Sequence, residues 1–158
     1  MKIMITGHRP NKLYGYNIDH PKYYELKNKL KKILIENNCT EAISGMALGA
    51  DTIFALTALE LKLEKHNIKL HCAIPCQNHD SRWNITDKNR YAKILELADK
   101  VTLVTDEPYK PYLMQKRNEF MVDNSDLVIA IWDGSSGGTA NCVNYAKSKN
   151  KTIIQIKP

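Results

Sequence analysis

Glycine is scarce in this 158-residue chain, which holds only seven, and cysteine is scarcer still at four. So few cysteines exclude a disulfide scaffold. No apolar run approaches the 18 residues that a membrane-spanning helix needs. The opening Met1-Lys2-Ile3-Met4-Ile5 is too short an apolar stretch for a secretory leader. Low-complexity tracts and internal repeats are absent. Together these point to a soluble, reduced, cytoplasmic protein without a membrane partner. What is present is 43% apolar and 25% charged composition, enough for one compact domain over 1–158 with its own core.

The net charge of +6 raises nucleic acid and phosphorylated ligands as partners, but its placement is uneven. Residues 1–37 hold eight Lys/Arg against three acids, and 141–158 hold four against none, so the middle of the chain is slightly acidic. Lys22, Lys27, Lys29, Lys31 and Lys32 share one predicted helix with Tyr23, Leu26, Leu30 and Leu34 at helical spacing. That pattern fits a solvated helix face or a stripe that tracks a nucleic acid.

Short apolar runs at 3–6, 41–44, 68–74, 101–105, 127–132 and 152–156 read as strands, and 20–37, 50–65, 86–98, 112–124 and 138–148 read as helices. The run Leu127-Val128-Ile129-Ala130-Ile131 does not alternate with polar residues, as expected of a strand buried on both faces. Strict alternation of strands and helices predicts an α/β fold: a doubly wound, three-layer sandwich around a mostly parallel sheet.

All seven glycines then fall in three stretches that follow predicted strands, at the carboxyl edge where open parallel sheets bind ligands. In the first, Gly7, His8 and Arg9 place an imidazole and a cation beyond the opening strand. In the second, Ser44-Gly45-Met46-Ala47-Leu48-Gly49-Ala50-Asp51 enters a helix. Its Ser44 and Asp51 either cap that helix or touch a ribose hydroxyl. The third, Asp133-Gly134-Ser135-Ser136-Gly137-Gly138-Thr139-Ala140-Asn141, is an anion cradle by composition: three glycines and three hydroxyls opening a helix. Arg117, with Asn118 beside it, lies on the preceding helix and suits a phosphate or carboxylate. Trp83 either covers a base or anchors its polar loop. No GxGxxG or Walker motif is present. The segment from His71 to His79 lacks CxxC spacing and puts His71 and Cys72 on opposite strand faces, so neither a cofactor nor a metal is expected.

The ordered set Ile5-Thr6-Gly7-His8-Arg9-Pro10, Ser44 to Asp51, Arg82-Trp83, Arg117-Asn118-Glu119 and Asp133 to Asn141 resembles the YpsA-like group of the SLOG superfamily, which includes the DprA/SMF and LOG proteins. The resemblance spans the whole chain. It implies a Rossmann-like domain that binds a nucleotide or nucleotide-derived molecule, ADP-ribose-like or a nucleoside phosphate, as a sensor or sequestering module, and a homo-oligomer. Similarity to LOG phosphoribohydrolases implies the alternative of N-glycosidic cleavage. Their catalytic glutamate, however, falls on Asn141, which cannot ionise, leaving Arg117, Asp51 and Asp133 as the catalytic candidates. Similarity to DprA implies a third reading, single-stranded DNA binding.

Overall fold

The computed structural model describes residues 1–158. Six strands alternate with five helices: β1 (Lys2–Gly7), α1 (Pro21–Glu36), β2 (Glu41–Ser44), α2 (Ala50–Leu63), β3 (Lys69–Ile74), α3 (Ile85–Leu97), β4 (Lys100–Leu103), α4 (Tyr112–Asp123), β5 (Leu127–Ile131), α5 (Gly138–Ser148) and β6 (Thr152–Ile156). A single 3-10 turn, Pro10–Lys12, follows β1. The strand order is β4-β3-β2-β1-β5-β6. Every neighbouring pair is parallel, giving the Rossmann-like sandwich expected from the alternation.

Each helix is set by local chemistry. Pro21 opens α1 behind His20, whose ring nitrogen accepts the Lys22 N–H at 3.1 Å. Tyr23, Leu26, Leu30 and Leu34 form its buried stripe. In α3, Asn84 caps by accepting the Asp87 N–H at 2.9 Å while its own amide donates back to the Asp87 carboxylate. By contrast, α2 buries residues on most of its circumference, from Ala50 to Leu61. It packs against β1, β2 and β3 with α1 and α3 on its flanks, which explains its lack of a polar face.

The lysines of α1 find partners across the helix layer. Lys27 reaches Glu60 at 2.6 Å, and Lys31 reaches both Glu64 at 2.6 Å and Glu60 at 3.2 Å. Two of the basic residues of the first 37, Lys27 and Lys31, are therefore matched by Glu60 of α2 and by Glu64 at its end. One apolar core lies between the sheet and α1, α2 and α3, around Ile3, Ile5, Phe54, Cys72 and Ile129. A smaller one lies beneath α4 and α5, around Met4, Ile43, Met121, Val128 and Cys142. The chain winds outward from β1 to β4 and returns through α4 to β5, so the switch point lies beyond the carboxyl ends of β1 and β5. No helix is long and apolar enough to cross a membrane.

Candidate functional site: a cation-lined cleft at the switch point

A cleft of about 340 Å³ opens at that point. Its walls come from the end of β1 and the turn after it (Thr6 to Arg9, Asn11, Lys12), the β2–α2 loop and first turn of α2 (Ala47, Asp51), α4 (Met114, Arg117, Asn118) and the β5–α5 loop and first turn of α5 (Ser135 to Thr139). Ala47 and Met114 are the apolar part of a lining that is otherwise polar, charged or glycine.

Arg117 is the dominant charge. It is 4% exposed, yet no carboxylate forms an ion pair with it. Its Nη1 donates to the Gly45 carbonyl, its Nε donates to Asn118 Oδ1 at 2.9 Å, and Nη2 lies 4.0 Å from the Met114 sulfur. Burial pulls its pKa down, opposed by the field of Asp51. A guanidinium held dry without a paired anion is costly unless an anion completes it. The space for its plane is created by Gly45, where a Cβ would sit 2.6 Å from Nη1 and 2.7 Å from Cζ.

Asp51 opens α2 and is 6% exposed. Burial raises its pKa, against the lowering effects of Arg117, the Ala47 N–H and Arg9. One carboxylate oxygen accepts the Ala47 N–H at 3.2 Å. Ser44 supports this loop from below, donating to the Asp51 carbonyl at 2.8 Å and accepting the Met46 N–H at 3.2 Å. Met46 itself is wholly buried. Gly49, at φ +91°, lets the α2 entrance close against β1: a Cβ there would meet the His8 carbonyl at 2.5 Å, the same carbonyl that accepts the Ala50 N–H at 3.1 Å.

On the opposite wall, His8 Nε2 accepts the Asp133 N–H at 3.1 Å and lies 3.0 Å from the Asp133 carboxylate. The Ser135 hydroxyl and N–H hold that carboxyl well below the usual range. Lys12 crosses the mouth to Ser135 Oγ at 3.0 Å. Gly137 and Gly138 carry α5 in with no side-chain cap on its first turn, so its N–H groups are left to solvent or a ligand.

Of the residues singled out from sequence, Gly7, His8, Arg9, Asp51, Arg117, Asn118 and the run from Ser135 to Thr139 line the cleft. Ser44, Gly45, Met46 and Gly49 lie behind its wall and shape it. Gly134 turns the loop at φ +93°, and Asn141 is exposed on the first turn of α5. Trp83 stands apart from the lining. Its ring packs edge-on to His79 at 5.2 Å and Tyr91 at 5.1 Å, and it touches the larger core, the arrangement of a loop anchor. His79 Nδ1 lies 3.3 Å from the Tyr91 hydroxyl, and burial drops its pKa to about 3, aided by the fields of Arg117 and Arg9. Sequence reasoning missed Thr6, Asn11, Lys12, Ala47 and Met114 as lining residues. For Asn11 and Lys12 the signal was Pro10, which starts the 3-10 turn that folds them over the cleft.

A family model described as the YspA SLOG family matches residues 3–158. The SPbeta prophage-derived protein YoqJ of Bacillus subtilis is 35% identical over 143 residues, covering 81% of this chain and 84% of that protein. A UPF0398 protein of Bacillus pumilus is 32% identical over 144 residues, covering 88% and 77%. Among solved structures, DNA processing protein A of Streptococcus pneumoniae matches with a TM-score of 0.69 at 16% identity, over 99% of this chain and 50% of that one. The Helicobacter pylori protein of that name, described by its single-stranded DNA binding mode, matches with a TM-score of 0.69 at 20% identity, over 100% and 66%. The chain thus spans half of the first and just under two thirds of the second, and at those identities the likeness is one of fold.

Proposed function

The chain belongs to the YspA SLOG family, and from that premise we propose that its cleft binds a nucleotide or nucleotide-derived ligand, as a sensor or sequestering module. The observation that carries this reading is the buried Arg117 guanidinium, without an ion-pair partner, on the wall of a cleft that also holds Arg9, Lys12 and the uncapped start of α5. Phosphate oxygens match all four donors, bidentately at the guanidinium and through N–H groups at the helix. Asp51, an acceptor on the floor between these cations, suits a ribose hydroxyl. With Trp83 packed into its own loop and few apolar residues in the lining, sugar and phosphate provide the recognition and a base projects from the mouth.

Native mass spectrometry of protein taken directly from cells tests the reading, since a retained phosphorylated ligand is identified by its mass. Calorimetry with ADP-ribose and nucleoside monophosphates should show binding that Arg117→Met weakens tenfold to a hundredfold, the scale of a charge-assisted hydrogen bond. No retained ligand, no binding, or an Arg117→Met protein that binds as the native one does would refute it.

The second reading, N-glycosidic cleavage, draws on Asp51 as the buried carboxylate of the cleft, since Asn141, exposed on the first turn of α5, cannot ionise. Release of free base from a nucleoside monophosphate, followed by chromatography, would favour it. Single-stranded DNA binding draws on the fold neighbour from H. pylori. The pairing of the α1 lysines with Glu60 and Glu64 counts against a stripe on that helix. Oligonucleotide affinity that falls steeply with salt would favour this reading over the first.

A further inference from the structure

The two edges of the sheet are treated differently. At one, β6 is bracketed by Lys151 and Lys157, and its isoleucines are partly buried, a usual protection against unwanted pairing. At the other, the four-residue β4 carries a lysine only at its start, Lys100, and is open on its outer side. Val101 pairs in register with Cys72 and Leu103 with Ile74. Cys72 and Ile74 are buried in the larger core, whereas Val101 is 47% and Leu103 46% exposed on the same face. Leu97, which closes α3 just before the strand, is 48% exposed.

The backbone direction of this edge is also fixed. The Val104 N–H donates inward to the Ile74 carbonyl at 2.8 Å. Because successive residues of a strand turn their peptide groups to opposite sides, Val101 and Leu103 present their N–H and C=O groups outward. They are the same two residues whose side chains are uncovered.

We propose that β4 pairs antiparallel with β4 of a second copy of this chain about a two-fold axis through Thr102, joining the two sheets into one. This inference does not depend on the cleft reading, since β4 lies at the far edge from the β1–β5 switch point. In that register Val101 of one copy faces Leu103 of the other, twice over. Each of these pairs exchanges both outward hydrogen bonds, while Thr102 faces its own symmetry mate in the non-hydrogen-bonded position. Lys100 lies opposite Val104 of the other copy, just past the end of β4. No like charges stand directly opposite over 99–105. An isologous pairing of this kind is self-complementary and closed, and it removes the uncovered edge.

Sedimentation and static light scattering on the intact chain at micromolar concentration test this, with a dimer expected. Two lysines at the apolar positions, in Val101→Lys/Leu103→Lys, should weaken the dimer at least a hundredfold. In Val101→Glu/Leu103→Lys each glutamate would face a lysine of the other copy, so dimerisation should return. All four native cysteines are buried, so Thr102→Cys adds the only accessible thiol. Mild oxidation should give a covalent dimer from Thr102→Cys and none from Leu103→Cys, whose opposite residue is Val101. Thr102 Oγ is bonded to His71 Nε2 at 2.8 Å, so folding of Thr102→Cys is checked by circular dichroism, and the lysine variants stand if it fails. A monomer at all concentrations, or a dimer indifferent to the double-lysine change, overturns the proposal. Capture of an extended segment of another protein on a monomeric chain also overturns it.

Discussion

Gly45→Ala should separate the stability of this protein from its anion chemistry. The new Cβ would stand 2.6 Å from Arg117 Nη1, 2.7 Å from Cζ and 2.8 Å from Nε. Carbon at ordinary contact needs about 3.5 Å, so the whole guanidinium plane must move by almost an ångström. It cannot slide sideways, because Asn118 and Met114 hold its edges, and it therefore moves toward the cleft, losing its bond to the Gly45 carbonyl. A hydrogen bond from a charged donor contributes about 1.5–3 kcal/mol, and the displaced charge regains some solvation, so a loss of about 2 kcal/mol is expected. For a domain of this size that lowers Tm by roughly 4–8 °C and the urea midpoint by about 1 M. Affinity for pyrophosphate, measured by calorimetry, should fall at least tenfold. Gly138→Ala is the control: nothing lies within 4 Å of its added Cβ, and alanine in a helix is about 1 kcal/mol better than glycine. That variant should be as stable as the native protein or slightly more so. If Gly45→Ala unfolds at the native midpoint and binds pyrophosphate unchanged, the guanidinium is not wedged as described and the account of the cleft is wrong.

Two further predictions concern titration. His79 has its pKa held near 3 by burial, well below the unfolded value of about 6.5. The unfolded chain therefore gains a proton first as pH falls, and stability drops below pH 6.5 until about pH 3. Between pH 7.5 and 5.5 this amounts to about 1.3 kcal/mol, and the difference in unfolding free energy between native and His79→Asn proteins, measured by urea denaturation, should shrink by that amount. Asp51 has the opposite sign: burial raises its pKa, so its ionisation weakens the fold as pH rises above about 4. Asp51→Asn keeps an acceptor for the Ala47 N–H and removes that pH dependence. Its urea midpoint at neutral pH should equal or exceed the native value while ligand affinity falls, and a large loss of stability would contradict the assignment.

The sheet was legible because its cause is local. Uninterrupted runs such as Leu127 to Ile131 alternate with helical periodicity, and the one-way crossover then dictates parallel strands and a switch point. What periodicity cannot register is the neighbour across a layer. It showed which face of α1 is wet, but Lys27 and Lys31 meet Glu60 and Glu64 only because α2 packs beside them. Trp83 was ambiguous for the same reason, its ring direction being set by His79 and Tyr91 from other turns of the chain. Ser44 and Met46 sit in a glycine loop and so read as ligand contacts, yet their hydrogen bonds and burial serve the wall behind the cleft.

The glycines themselves divide into two kinds that sequence alone presents as one. At Gly7, Gly45 and Gly49 the place of the absent side chain is already filled, by Ala50 and Ile131, by Arg117, and by the His8 carbonyl. These three let elements of the protein approach one another and set the depth and charge of the cleft. At Gly134, Gly137 and Gly138 nothing lies within 4 Å. Two of these, Gly137 and Gly138, line the cleft at the start of α5, so the room left by their missing side chains faces outward and is available to a bound molecule. On the proposed reading the ligand would approach from the β5–α5 loop toward Arg117, and substitutions in the two kinds of glycine should fail differently. The first kind should lose stability together with binding. Of the second kind, Gly138 should lose binding alone, and only when the added side chain is larger than a methyl group, whereas Gly134 and Gly137, at φ +93° and +139°, should lose stability as well.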